Sequence, residues 1–472
     1  MDNETRMVYC DSYNRSHRII DILESFKTLE TSGVVVSTAG RVVAKRSMGK
    51  AVFFDIADFS GRIQCLGGMA QLGEEQFNLL VKVVKVGDIV GVSGKPFITR
   101  RGENTIALAG MKLLTTSLLP LPEKFHGLND LNLRYRRRYL DLISNSEARE
   151  VFRKRALIIS GIRHFLEERG FIEAETPIFQ KNPCGASANP FRTHHDAKDI
   201  DLFLRISPET FLKQLVVGGM DKVYEIGKNF RNEGVDASHL QEFTMLEFYV
   251  AYWNFLDNMK FVQEMIQHVL RMTVGSLSLD YQGVGIDFSG DWKAVNYRDR
   301  VLEDSGIDVL AYREAEDLLA EIQARRIDLG EIPARISLGG LIDRLYKKVS
   351  RHKLVQPTFL VHHPASLIPL ARPNGQNPQV VDSFQVLVNG WEIAKAYSEL
   401  ADPKLQRRLL EEQLAMRGAG DEEAMFLDAD FITSLEYGMP PVSGVGLGID
   451  RLTALITNQR NLADVVLFPL MK

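Results

Sequence analysis

The chain has 472 residues, 45% of them hydrophobic and 25% charged, with a net charge of −4. That length exceeds one ordinary hydrophobic core, so two or more globular domains are expected, and the near-balanced charge excludes indiscriminate adhesion to nucleic acid while leaving room for a local basic face. Cys10, Cys65 and Cys184 lie too far apart for a paired metal site and are odd in number for a disulfide framework, no apolar run nears the roughly 20 residues that span a bilayer, and Met1-Asp2-Asn3-Glu4 opens no basic-then-apolar leader; the expectation is a soluble, cytoplasmic protein with no membrane partner.

In chain order, Ile19, Ile20, Ile22, Leu23 and Phe26 mark an amphipathic helix that stops before Thr31-Ser32-Gly33. Five short β-rich stretches separated by glycine turns follow: Val34-Val35-Val36, Val52-Phe53-Phe54, Arg62-Ile63-Gln64-Cys65, Asp88 to Val92 and Thr105 to Leu108. They predict a small barrel. The OB-fold is the five-stranded barrel that binds oligonucleotides, and on this pattern alone other small barrels stay open. Leu119-Pro120-Leu121-Pro122 reads as an extended connector, so the first domain is placed at 1–118, a linker at 119–140 and a second domain at 141–472. Within that second domain, Arg149 to Arg169 has a helical period, closes at Gly170 and leads into Phe171-Ile172-Glu173-Ala174-Glu175-Thr176-Pro177. Strands are predicted around Leu202–Ile206, Val223–Lys228, Phe243–Tyr249, Phe384–Val388 and Val442–Gly448, and helices at Glu314–Arg325 and Gly340–Val349. Irregular strand spacing favours a mixed, mainly antiparallel sheet with flanking helices, hence an α+β class.

Two segments carry arginine where a nucleotide could be held. They are Phe230-Arg231-Asn232-Glu233-Gly234 running to Glu242-Phe243, and Gly444-Val445-Gly446-Leu447-Gly448-Ile449-Asp450-Arg451. Small or apolar neighbours suit strands, so each planar, permanently charged fork can be fixed over a phosphate or a base. Together they read as an ATP site; singly, Phe243 reads more readily as a core aromatic and each arginine at least as readily as a surface ion pair. In this order and separation the segments resemble motifs 2 and 3 of the class II aminoacyl-tRNA synthetases, and the helix, strand and proline ending at Pro177 resemble motif 1. Lys124-Phe125-His126-Gly127-Leu128, Arg192-Thr193-His194-His195, Gln356-Pro357-Thr358-Phe359 and Asp421-Glu422-Glu423-Ala424-Met425-Phe426 narrow the resemblance to the bacterial-type lysyl-tRNA synthetase family, over about Val36 to Pro469.

The resemblance implies an N-terminal OB-fold anticodon-binding domain and a class II catalytic domain in a homodimer formed through motif 1. The implied reaction joins L-lysine to ATP as lysyl-adenylate with release of pyrophosphate, then passes lysine to the 3′ end of its tRNA. It assigns ATP to Arg231, Glu233, His239, Phe243, Glu392 and Arg451, with Arg231 and Arg451 catalytic. Lysine falls to Gly185, Glu209, Arg231, Glu247, Tyr249, Glu399 and Gly448. Magnesium falls to Glu392 and Glu399, and anticodon uridines to Arg46, Phe53, Gln64 and Glu103. Acidic residues suit a substrate ammonium that must be matched on leaving water; the related aspartyl enzymes need a cationic pocket, and Glu247 counts against them. Glu209 also reads as a helix-start residue after Pro208. Glu392 and Glu399 are seven apart, which on a regular strand puts them on opposite faces, so a bend must intervene if they share a ligand. The run Arg134 to Leu142 reads as packing and as tRNA backbone contact, with a solvated face as the alternative.

Four departures from the family pattern stand out: Leu240-Gln241 for Asn-Pro, Cys184 for glycine, Ala237 for a basic residue, and Lys395 for an asparagine near the substrate. A Lys395 ammonium competes for Glu392 and Glu399 unless it points away or loses its proton. A paralogue with altered amino-acid choice, or a non-catalytic tRNA-binding dimer, therefore stays open as an alternative, although the retained Arg231, Glu233, Phe243, Glu392, Glu399 and Arg451 count against the non-catalytic one.

Overall fold

The computed structural model describes residues 7–122, 128, 130–234, 236–333, 336–421 and 424–471. Of the family-like segments, 124–127 and 422–423 lie outside the described residues. The chain divides into two compact units, Met1–Arg134 with Tyr139–Asn145, and Tyr135–Arg138 with Ser146–Lys472. Among the described residues no helix is long and apolar enough to cross a membrane.

In the first unit, residues that alternate between buried apolar and outward polar form strands β1 (Val36–Met48), β2 (Ala51–Ala57), β3 (Arg62–Gly68), β4 (Ile89–Ile98) and β5 (Asn104–Thr115). They close as a barrel in the order β1-β2-β3-β5-β4, with β4 returning to pair with β1. Val42, Val52, Phe54, Ile56, Ile63, Cys65, Val92 and Ile106 fill it. Each such side chain, fully buried, stabilises the fold by roughly 1.5–3 kcal/mol. The expected single helix is two, Ile19–Glu24 and Phe26–Ser32, the second stopped by Gly33 at φ 64°. That turn also corrects the first strand: Val34 and Val35 are exposed, and pairing begins only at Val36 opposite Gly94. Between β3 and β4 runs a helix, Met69–Asn78, that the sequence reading passed over.

The second unit is built on an eight-stranded sheet. Its strands are β6 (Ile172–Glu173), β10 (Lys222–Phe230), β11 (Glu242–Ala251), β14 (Lys293–Asn296), β15 (Thr358–Val361), β16 (Ser383–Val388), β17 (Trp391–Ser398) and β18 (Val442–Gly448). The order is β14-β15-β16-β17-β18-β11-β10-β6, antiparallel except for the two outermost pairs. Of the remaining strands, β7 (Phe179–Gln180), β8 (Arg192–His195) and β9 (Ile200–Leu204) form a small sheet, and β12 (Ser278–Tyr281) and β13 (Val284–Asp287) form a hairpin. The strand expected at Leu202–Ile206 thus lies two residues earlier.

One face of the main sheet is covered by the helices Ser146–Glu167 and Phe255–Thr273. Phe255, Val262, Ile266, Val269 and Thr273 recur with the helical period, and the Asn254 side chain caps the helix by accepting from the amides of Leu256 and Asp257. Leu246, Phe248, Val250, Val445, Leu447, Ala394 and Ala396 meet those helices. Because strand side chains alternate, the residues between them are left to line the opposite face. The arginine-rich run near residue 136 is partly structural: Arg138 is buried and donates to the carbonyls of Ala463, Val466 and Leu467, while Arg136 and Arg137 are exposed.

Candidate active site

The free face of the sheet forms the floor of a cavity of ≈ 1140 Å³. From β11 it receives Phe243, Met245, Glu247 and Tyr249, every second residue of one strand. From β18 it receives Gly444, Gly446 and Gly448. A Cβ on Gly444 would sit 2.3 Å from the Tyr249 ring and 2.5 Å from Glu399 Oε1, so glycine there keeps the floor open. β17 contributes Glu392, Lys395 and Tyr397, and Glu399 follows the strand's last residue, Ser398. The pairing of β16 with β17 shifts between Val386 and Leu387, so that Ala394 faces Val386 and Glu392 faces Leu387, skipping Ile393. This bulge is the bend that odd spacing required, and it turns Glu392 and Glu399 to one face.

Arg231, Glu233 and His239 line the cavity from the loop after β10. The Arg231 guanidinium lies 5.1 Å from the centre of the Phe243 ring, and its buried Nε has no hydrogen-bond partner among the described residues. His239 is exposed, its Nδ1 2.8 Å from Asp236 Oδ2. Across the floor, Arg451 belongs to the helix Ile449–Ile456 that starts after Gly448, and it donates to the Glu392 carbonyl at 3.1 Å. Asp450 anchors that helix by accepting from the Thr244 amide at 2.8 Å and pairing with Arg155 at 2.6 Å. Burial opposes the charge of Glu392, but Arg451, Lys395, Arg351 and Lys347 outweigh it and hold the carboxyl below its usual range. Its Oε2 also accepts from Gln385 at 2.7 Å.

At the other end the cavity is acidic and its carboxyl groups are buried. Glu209 begins the helix Glu209–Val217, as its helix-start reading expected, and it lines the cavity. Glu209, Glu247 and Glu399 are all buried. Ser207 Oγ donates to Glu247 at 2.9 Å, and the hydroxyls of Tyr397 and Tyr249 donate to Glu209 at 2.8 Å and to Glu247 at 3.4 Å. Burial, with Glu209 next in effect, pushes Glu247 up to about 8, against the pull of Ser207, Arg231 and Arg205. Gly185, at φ 100°, passes so close that a Cβ would lie 2.8 Å from Glu209 Cβ. Thus Gly185, Glu209, Glu247, Tyr249, Glu399 and Gly448 share one cavity with Arg231, Glu233, His239, Phe243, Glu392 and Arg451.

Sequence reasoning missed Lys213, which is wholly buried between Glu209 and Glu399, and Tyr397, which holds Glu209. The signal was a lysine four residues after Glu209 in the otherwise largely apolar Phe211-Leu212-Lys213-Gln214-Leu215-Val216-Val217. It also missed Arg205, whose buried ion pair with Glu225 (2.5 Å) and hydrogen bond to the Lys228 carbonyl (2.8 Å) brace β10 beside the cavity. Of the four departures, Cys184 is buried and its thiol is pushed up to about 12 by burial. Leu240 packs on an apolar cluster, and Ala237 is exposed. Lys395 lines the cavity half-buried and forms no ion pair among the described residues. Its charge adds to burial in pushing His363 down to about 3. The ammonium that contacts Glu399 is that of Lys213.

In the first unit, Arg46, Phe53 and Gln64 lie on the adjacent strands β1, β2 and β3, and Glu103 immediately precedes β5, the next strand round. Arg46 pairs across strands with Phe53, which points outward between the buried Val52 and Phe54. The Thr105 hydroxyl donates to Gln64 Oε1 at 2.9 Å, with the Glu103 carbonyl as second acceptor at 3.1 Å.

Comparison with known proteins matches these two parts separately. Residues 36–114 match the OB-fold nucleic acid binding domain, and residues 130–472 match tRNA synthetases class II (D, K and N). The chain belongs to that class II tRNA synthetase family. A protein of Pelotomaculum thermopropionicum named lysine–tRNA ligase is 45% identical over 464 residues, 98% of this chain and 91% of the relative. Lysine–tRNA ligases of Aquifex aeolicus (46% over 437 residues, 93% of this chain and 73% of the relative) and Syntrophomonas wolfei (44% over 460 residues, 98% and 92%) are similarly close.

Proposed function

We infer that the chain is a lysine–tRNA ligase, using ATP, lysine and tRNA as substrates. The observation that carries this reading is a single cavity with cationic forks at one end and three buried carboxylates at the other. Amino-acid activation needs no covalent help from the protein, only placement of a carboxylate against the α-phosphorus and stabilisation of the charge that develops there. Arg231 is suited to bridge the α-phosphate and the lysine carboxylate, its unpartnered Nε being a donor in want of an acceptor. The adenine fits between the Phe243 ring and Arg451, with Glu233 reading its amino group and His239 meeting the outer phosphates. Glu209, Glu247, Tyr249 and Glu399, with Gly185 and Gly448 leaving room, receive the lysine.

The same reading assigns magnesium to Glu392 and Glu399. The residues fit: Glu392 is held ionised, and Glu399 Oε1 accepts no hydrogen bond among the described residues. Bound there, the ion would neutralise triphosphate charge and polarise its oxygens. The first domain (1–118), joined by a linker (119–140) to the catalytic domain (141–472), would read the anticodon with Arg46, Phe53, Gln64 and Glu103, stacking unpaired bases on the aromatic ring. The three free thiols fit the proposed cytoplasmic location, which cell fractionation checks.

The deciding experiment is lysine-dependent ATP–pyrophosphate exchange, run beside arginine, ornithine and aspartate. Exchange with lysine alone is expected. Exchange with another amino acid would favour the paralogue with altered choice, and none at all would leave the tRNA-binding dimer.

A further inference from the structure

A lysine already stands behind the wall of the cavity proposed for the substrate lysine. Lys213 has no exposed surface; its Nζ lies 2.5 Å from Glu209 Oε1 and contacts Glu399 Oε2. The rings of Tyr249, Tyr397 and Phe431 stand 5.6–6.0 Å from the ammonium and wall it in. Glu247 is placed differently: among the described residues no cation lies within ion-pair distance of it, and its donors are the hydroxyls of Ser207 and Tyr249. Three buried glutamates therefore stand beside one resident ammonium, which two of them contact.

Charge counting gives that ammonium a purpose. Free lysine near neutral pH carries two ammonium groups and one carboxylate. Its carboxylate is matched by Arg231, which leaves two positive charges for the three glutamates. We propose that Lys213 is a resident counter-ion that supplies the third ammonium, so that the site reaches neutrality only around an amino acid bearing two ammonium groups, and that it holds Glu209 and Glu399 in position to receive that substrate. Magnesium does not alter the count, because it arrives with the triphosphate and is balanced by it. Lys213 touches no substrate in this account; it is a positioning residue acting through two carboxylates. An amino acid with a neutral side chain leaves one glutamate unmatched, a penalty larger than a poorly filled pocket provides. The inference rests on reading the cavity as the lysine site.

Lys213→Met keeps the volume and removes the charge. In lysine-dependent ATP–pyrophosphate exchange its KM for lysine should rise about tenfold or more while that for ATP stays within about twofold, since the two glutamates lose their shared donor and repel. Lys213→Ala opens space for three methylenes and an ammonium. Its defect should be relieved at least about threefold by n-propylammonium and not by n-propanol, whereas the methionine variant, with that space filled, should not respond. An unchanged or lower KM for lysine in Lys213→Met, a KM for ATP that climbs in step, or equal relief by propanol overturns the proposal. If neither single variant folds, Glu209→Gln/Lys213→Met, which removes one charge of each sign, is compared with Glu209→Gln alone. Less than about a threefold difference in KM for lysine is then expected; a further tenfold rise, or a double variant that also fails to fold, counts against the idea. Failure of the unmodified protein to exchange with lysine would defeat the lysine-site reading, while normal exchange with indifferent variants defeats the role of Lys213 alone.

Discussion

Glu247 is the carboxyl whose state the substrate must change. In the empty cavity burial, followed by Glu209, pushes it up to about 8 from an ordinary 4.5, so it is mostly protonated at neutral pH. A carboxyl raised by folding stabilises the fold fully below its unfolded value and loses that contribution as pH climbs through the folded one; the empty protein should therefore lose stability from about pH 4.5 to about pH 8. An arriving ammonium favours the carboxylate and expels the proton. The KM for lysine is accordingly expected to fall as pH rises toward 8, with a limiting slope of about tenfold per unit, and Glu247→Gln should raise the KM and flatten the profile. Equal slopes in the two proteins would assign the titration to another group. At this scale much of the candidate site was legible, because Phe243, Glu247 and Tyr249 are two, four and six apart and so share a face of any strand. Lys213 was not, because a glutamate and lysine four apart on a helix usually make a solvent-side pair, and only packing shows that this one is walled in.

Elements were legible where their pattern was regular, and obscure where a single residue broke it. The strands expected at Val223–Lys228 and Phe243–Tyr249 fall within β10 and β11, but the bulge at Ile393 that turns Glu392 beside Glu399 leaves no mark in a sequence read by spacing. Nor did the helix between β3 and β4 announce itself, since Gly73 interrupts its period at φ 75°. The motif 1 segment lies at the sheet's edge, where among the described residues β6 pairs with β10 alone and Ile172 is 52% exposed; just beyond it, Ile178 and Phe179, at the start of β7 in the small sheet, are exposed by 43% and 59%. An open strand edge followed by exposed apolar side chains is what a second copy would cover, so we propose a homodimer through this segment. Sedimentation equilibrium is expected to give twice the chain mass. Phe179→Glu, which would bury an unpaired carboxylate at a cost of several kcal/mol, should shift the protein toward monomer at micromolar concentration. A monomer mass in the unmodified chain, or a dimer indifferent to the substitution, would move the interface elsewhere.

Across the whole molecule, the two units keep separate cores. The barrel closes on Val52, Phe54, Ile63 and Ile106, and the sheet closes on the helices Ser146–Glu167 and Phe255–Thr273. Glycine-punctuated short strands marked the barrel, whereas the assignment of Tyr139–Asn145 to one unit and Tyr135–Arg138 to the other is encoded in no local pattern. Separate cores predict separable functions. Phe53 points outward, so its loss should leave the barrel's core intact while removing a stacking platform that is worth roughly 1–3 kcal/mol per base. Phe53→Ala should therefore raise the KM for tRNA in aminoacylation by about tenfold to a hundredfold. Lysine-dependent ATP–pyrophosphate exchange, which needs no tRNA, should proceed at the unmodified rate with unchanged KM for lysine and ATP. If exchange fell in parallel with aminoacylation, the barrel would be contributing to the cavity's chemistry or stability, and the assignment of base recognition to Phe53 would be lost.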